Sequence, residues 1–92
     1  MAENVLLLGA TGSVGGSVLQ ALKILKRPLW GFSFHSNLKL ARQIIRDFTP
    51  YVVIATDENH YRALVEERGE TRVLFGEAGI LESIEYADSQ VV

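Results

Sequence analysis

The sequence has 92 residues, 48% of them hydrophobic and 22% charged, with a formal net charge of −2. That size and balance fit one compact domain and exclude both a second core and intrinsic disorder. Interspersed charges of both signs offer nothing to a nucleic-acid backbone or an anionic membrane, and the lack of cysteine removes thiolate catalysis, disulfides and cysteine-based metal sites.

No signal-peptide pattern precedes Val5 and no apolar run approaches a membrane span, so a cytoplasmic protein with no nucleic-acid or membrane partner is expected. Residues 5–8 are a wholly apolar run ending at Gly9, the pattern of a strand buried on both faces of a parallel sheet. From residue 14 to 25 the period changes. Val14, Val18, Leu22 and Leu25 recur at helical spacing, Leu19 and Ala21 flank them, and Lys26 and Arg27 close the segment at the negative end of its dipole. Pro28 bars continuation, and residues 29–34 read as a second strand. Leu38, Ala41, Ile44, Ile45 and Phe48 form a second helical stripe, with Ser36 or Asn37 as its cap. A third strand is predicted over 51–55. Thr56 or Asp57 then caps a third helix that carries Tyr61, Leu64 and Val65 and stops at Gly69. A fourth strand is predicted at 72–75 and a fourth helix at 76–87, with Ile80, Leu81 and Ile84 inward. "QVV" reads as the start of a further strand, so the chain is read as truncated at its C-terminus. Strand and helix alternate strictly, which predicts an α/β fold, Rossmann-like and doubly wound, with a mostly parallel sheet and right-handed crossovers.

The turn after the first strand carries Gly9, Gly12 and Gly15 at three-residue spacing, one residue longer than the GxGxxG pattern. Strand, glycine turn, helix is the arrangement that sets backbone N–H groups and a positive helix end against a pyrophosphate. Gly9 leaves the strand sharply, Gly12 puts no side chain between ligand and backbone, and Gly15 lets the helix lie close to the sheet. Thr11 and Ser13 add hydroxyls beside those amides. The plainer reading of the glycines is a tight turn and close packing alone.

An NAD site usually places Asp or Glu at the end of the second strand, about twenty residues past the glycine turn. This chain has His35, Ser36 and Asn37 there, none with a fixed negative charge and all able to donate to a 2′-phosphate, with Lys39 or Arg42 nearby. NADP is therefore favoured over NAD, although Ser36 and Asn37 also serve as helix caps. His60 is expected on a solvent-exposed polar face rather than at a metal. Trp30 and the phenylalanines read as core, and no nucleophile–base constellation stands out.

"LLLGATGSVGGSVLQALK", a strand ending before "SN", "YVVIATDE" and "TRVLFGEAGILE" together resemble the N-terminal cofactor domain of the 1-deoxy-D-xylulose 5-phosphate reductoisomerase family over nearly the whole chain. The resemblance implies an NADPH-binding domain over 1–92. In that family NADPH serves a metal-assisted rearrangement and reduction to 2-C-methyl-D-erythritol 4-phosphate, in non-mevalonate isoprenoid synthesis. By position it implies that Thr11, Gly12, Ser13 and Val14 form the phosphate-binding turn, and that Ser36 and Asn37, with His35 beside them, lie near the 2′-phosphate. His35 stands where the family commonly has glycine, and Gly16 where a larger residue is usual.

The resemblance places the divalent metal (Mg or Mn), the catalytic segment and the substrate lid beyond Val92. The chain alone is expected to bind NADPH without catalysis, and the full-length family to be homodimeric. Two alternatives carry similar turns: the cofactor domain of an NADP-dependent semialdehyde or acyl-phosphate reductase, and a non-catalytic nucleotide-binding or structural module.

Overall fold

The structure, a computed structural model, describes residues 4–87 and 90–92. Its elements run β1 (Val5–Leu7), α1 (Ser13–Leu25), β2 (Gly31–Phe34), α2 (Leu38–Phe48), β3 (Val52–Ala55), α3 (Glu58–Glu67), β4 (Arg72–Phe75), α4 (Gly76–Ala87) and β5 (Gln90–Val91). The strands form one sheet in the order β4-β3-β2-β1-β5, and every neighbouring pair is parallel, with Leu6 opposite Gly31, Phe34 opposite Ala55, Ala55 opposite Phe75 and Val5 opposite Gln90.

Alternation within each strand divides the side chains between two faces. Val5 and Leu7, Phe32 and Phe34, and Val53 and Ala55 enter one core with Leu19 and Leu22 of α1, Ala41 and Ile44 of α2, and Leu64 of α3. Their neighbours Leu6, Val52 and Ile54 are also buried, and α4 lies on that second side with Gly79 against Leu74 and Ile54. Helices thus cover both faces. Burial of these strands from both sides explains their unbroken apolar runs.

The face that α1 buries differs from the predicted stripe. Gly15, Leu19 and Leu22 point inward, whereas Val14 is 74% and Leu25 66% exposed. The cause is steric. A Cβ at Gly15 would lie 2.6 Å from the carbonyl oxygens of both Gly9 and Ala10, so only glycine permits this contact. Once residue 15 faces the turn, the positions four and seven further on must face the sheet.

Among the described residues of α4 the buried side chain is Ser83, whose hydroxyl donates to the Gly79 carbonyl at 2.8 Å. Leu81 and Ile84, expected inward, are 58% and 39% exposed. Small residues at Gly79 and Ser83 let this helix lie close to the sheet, and the choice of that face turns the larger side chains away. On α3, Val65 is likewise more exposed than predicted, at 43%. Its closing residue is Arg68 rather than Gly69: Arg68 adopts φ +50° and donates its amide to the Val65 carbonyl. Exposed ion pairs join adjacent helices, Lys23 with Asp47 and Arg42 with Glu67, each contributing about 0–1 kcal/mol.

Gly15→Ala should lower the unfolding free energy by about 3 kcal/mol, because both opposing atoms are backbone and cannot swing aside; urea denaturation of wild type and variant measures the difference.

Candidate functional site

From β1 the chain steps outward through β2 and β3 to β4, and α4 then carries it back to β5 on the other side of β1. Strand order reverses at β1, and the crevice outside the carboxyl end of such a strand is where open α/β sheets hold ligands. The glycine turn occupies that end of β1.

Gly9 has φ +72°, a conformation open to glycine at little cost. Its amide donates to Ser33 Oγ at 3.0 Å, the Ala10 amide to the Ser33 carbonyl at 2.9 Å, and the Gly12 amide to the Gly9 carbonyl at 3.1 Å. The first two bonds fasten the turn to β2, and the third closes the turn on itself. Gly12 is the N-cap of α1, with no side-chain cap and no acid in the first turn. The first bond into the helix runs from the Gly16 amide to the Gly12 carbonyl at 2.9 Å. The amides of Ser13, Val14 and Gly15 therefore precede the intrahelical ladder and form the positive end of the helix. Gly12 differs from Gly15 in one respect: a Cβ there would meet only the Gly9 carbonyl oxygen, at 3.5 Å, an ordinary contact. Its backbone, φ −85° and ψ 175°, is open to any residue. Nothing in the packing requires glycine at position 12.

The structure brings Thr11 against Ser36, next to Asn37 in the chain. The Thr11 hydroxyl donates to the Ser36 carbonyl at 3.0 Å, joining the glycine turn to the β2–α2 loop. That bond uses the only hydroxyl proton of Thr11, which is thus no free donor. Asn37 adopts φ +66° and caps α2, its Oδ1 accepting from the Leu40 amide at 3.1 Å; its amide nitrogen still carries two donors. Like α1, α2 has no acid in its first turn. Arg42 is paired with Glu67 and does not serve this loop.

Thr56 and Asp57 of the β3–α3 connection and His60 of α3 complete the edge; the sequence reading named the first two only as helix caps and put His60 on an exposed face. His35 is exposed, and its Nδ1 lies 2.9 Å from Thr56 Oγ1. Thr56 in turn donates that hydroxyl proton to the Phe34 carbonyl at 3.2 Å. His60 is part-buried rather than solvent-exposed. Its ring stacks on Phe34 at 5.7 Å, and its Nδ1 donates to the His35 carbonyl at 3.0 Å. Asp57 caps α3 by accepting from the His60 amide at 3.1 Å. That backbone bond, together with attraction from the His60 and His35 rings, holds the Asp57 carboxyl below its ordinary range. Among the described residues no three His, Asp or Glu side chains group as cation ligands.

A doubly wound parallel sheet with a glycine turn and an uncapped helix N-terminus at its switch point defines a Rossmann-like α/β domain. Residues 5–92 match the family model for 1-deoxy-D-xylulose 5-phosphate reductoisomerase, and the chain belongs to that family. It is 38% identical over 95 residues to the reductoisomerase of Leptospira borgpetersenii serovar Hardjo-bovis, covering 100% of this chain and 24% of the relative. It is 32% identical over 94 residues to that of Bacillus cereus strain AH187, covering 98% and 24%. The chain thus spans about a quarter of the length of these curated relatives.

Among solved structures it resembles a DOX-P reductoisomerase in complex with magnesium, with TM-score 0.85 and 20% identity over 99% of this chain and 24% of that one. It also resembles the Zymomonas mobilis enzyme in complex with NADPH, with TM-score 0.79 and 21% identity over 90% and 23%. At those identities the likeness is one of fold. Family membership sets aside the semialdehyde and acyl-phosphate reductases.

Asn37→Ala should cost about 2 kcal/mol, from the lost cap and an alanine forced to positive φ, and Asn37→Gly less than about 1 kcal/mol, because it loses only the cap. Thermal unfolding of both variants checks the order. Ionised Asp57 contributes stability above the unfolded carboxylate range, and that contribution is lost as pH falls through its lowered folded value. Asp57→Asn should therefore flatten the acid limb of a stability curve measured by urea unfolding from about pH 6 to about pH 2.

Proposed function

We propose that residues 1–92 are the NADP(H)-binding domain of a 1-deoxy-D-xylulose 5-phosphate reductoisomerase. In this reading the pyrophosphate lies against the start of α1, bordered by Thr11, Gly12, Ser13 and Val14. The adenosine 2′-phosphate lies at His35, Ser36 and Asn37. The observation that carries the reading is Gly12, a glycine that the packing does not need, at an uncapped helix N-terminus on the switch point. A ligand that must approach the backbone supplies the missing reason.

The residues present fit such a cofactor. The Ser13, Val14 and Gly15 amides offer donors to a pyrophosphate, and no carboxylate from the first turns of α1 or α2 repels it. At the end of β2, the Ser36 hydroxyl, the Asn37 amide nitrogen and the His35 ring are donors, and no acid replaces the 2′-phosphate. The Thr11–Ser36 bond holds the two subsites at a fixed separation. NADPH, when bound, supplies a hydride; this chain's part is to bind and orient it. The reductoisomerase reaction and its divalent metal belong to the portion of the relatives outside the match, and the chain by itself binds cofactor without turnover. A cytoplasmic location follows from the same reading.

Calorimetric titration tests the proposal. NADPH should bind more tightly than NADH, and Gly12→Asp should lower NADPH affinity more than about tenfold by placing a carboxylate against the pyrophosphate. The same substitution should leave the fold intact and raise stability by about a few tenths of a kcal/mol, because Asp is the better cap. Undiminished binding by a folded Gly12→Asp variant would overturn this placement of the cofactor.

A further inference from the structure

We infer that the free edge of β4 is a docking surface for a second copy of this chain: two β4 strands pair antiparallel about a two-fold axis through Leu74, and the two α3 helices pack against each other beside them. The edge lies three strands away from the glycine turn of β1 and is independent of what that turn binds.

Among the described residues β4 closes one side of the sheet, with β3 as its one strand neighbour. The Arg72 amide donates to the Tyr51 carbonyl at 2.9 Å. Arg72 and Leu74 therefore direct their backbone groups to β3, and by the alternation of a strand Val73 and Phe75 direct theirs outward, as an open ladder of donors and acceptors. The usual protection of such an edge is missing. Residues 72–75 include no proline, lysine or acid, and the one cation, Arg72, is held by Glu82 at 3.3 Å. Phe75 remains 45% exposed.

A second copy fits this edge on both the strand and the helix. With Leu74 on the axis, Val73 stands opposite Phe75 of the second copy, and because both point their backbone groups outward the pair exchanges both N–H···O bonds. Val73 and Phe75 lie on the face that α3 covers: Val73 packs on the core there, and Phe75 packs on Tyr61 with ring centroids 5.3 Å apart. Val65, one helical turn beyond Tyr61, is 43% exposed. Because α3 lies over β3 and β4 and strands are about 4.8 Å apart, the two-fold sets the two α3 axes about 10 Å apart, the distance at which helices pack. The helices run antiparallel. Tyr61 then meets Val65 of the second copy, and the acidic start of α3 at Glu58 meets the basic end at Arg68. On the other face Arg72 and Glu82 of each copy arrive already paired, so like charges are not forced together. A strand from another protein would complete the ladder but leave Tyr61 and Val65 uncovered, whereas a second copy satisfies both.

The test uses the 92-residue chain, which has no cysteine, with folding followed by circular dichroism. Sedimentation equilibrium should give a mass of twice 10.2 kDa. An edge this short belongs to the small, weak class of interfaces, so the chain is measured at about 100 μM. Val65→Lys, on α3 and outside the ladder, should raise the dimer dissociation constant more than about tenfold by setting a charge against Tyr61. Leu74 forms a non-hydrogen-bonded pair with itself across the axis, Cα atoms about 4.5 Å apart, so Leu74→Cys should cross-link two chains in oxidised glutathione. Val73→Cys, more than about 7 Å from its own counterpart, should not. A folded wild type that stays monomeric would overturn the second copy as occupant and leave the edge to a strand of another protein. A dimer that cross-links through Val73→Cys and not Leu74→Cys would overturn the register, and a dimer indifferent to Val65→Lys would overturn the α3 contact.

Discussion

The contact of Gly15 with the Gly9 and Ala10 carbonyls is the constraint on which the rest of this molecule depends. Two carbonyl oxygens lie where a Cβ would stand, so α1 can approach the turn only along this one line. That approach sets the rotation of the helix and selects Leu19 and Leu22 as its core residues. It also fixes where the unpaired amides at its start stand, directly over the end of β1. The packing core and the position of the uncapped end of α1 are consequences of one steric fact.

At the carboxyl edge of the sheet, three loops are stitched together by side chains that spend their polar groups on one another. Ser33 and Thr11 tie the glycine turn to β2 and its loop. Thr56 and His60 tie that loop to the β3–α3 connection. Each such bond is worth about 1 kcal/mol net, too little to decide the fold, yet together they fix how far the start of α1 stands from the β2–α2 loop. In the proposed reading, what this stitching leaves for a cofactor is the first amides of α1 and the Asn37 amide nitrogen. Preorganisation of this kind lowers the ordering cost of binding.

Most of the architecture was legible in the residues. The apolar runs marked β1 and β3, and the caps Asn37 and Asp57 were among the residues expected to start α2 and α3. Less legible was which side of a helix faces the sheet. Val14 and Leu25 on α1, and Leu81 and Ile84 on α4, were read as inward because they are large, apolar and correctly spaced. The helices instead turn on Gly15 and on Gly79 and Ser83, because closeness of approach outranks side-chain hydrophobicity where backbone meets backbone. His60 was misread for a related reason: its partners, the Phe34 ring and the His35 carbonyl, come from β2 and its loop, and local sequence carries no sign of them.

By itself the sequence determined the α/β alternation, the glycine turn ahead of α1 and the absence of acid at His35, Ser36 and Asn37. These are local facts, written in periodicity, turn chemistry and charge. Only the tertiary structure decided the strand order that puts the turn at a switch point, the contrast between a Gly15 that packing demands and a Gly12 that it does not, and the hydrogen bonds that orient His35. Each of those depends on atoms brought together from distant parts of the chain, and a one-dimensional pattern cannot record a distance between them.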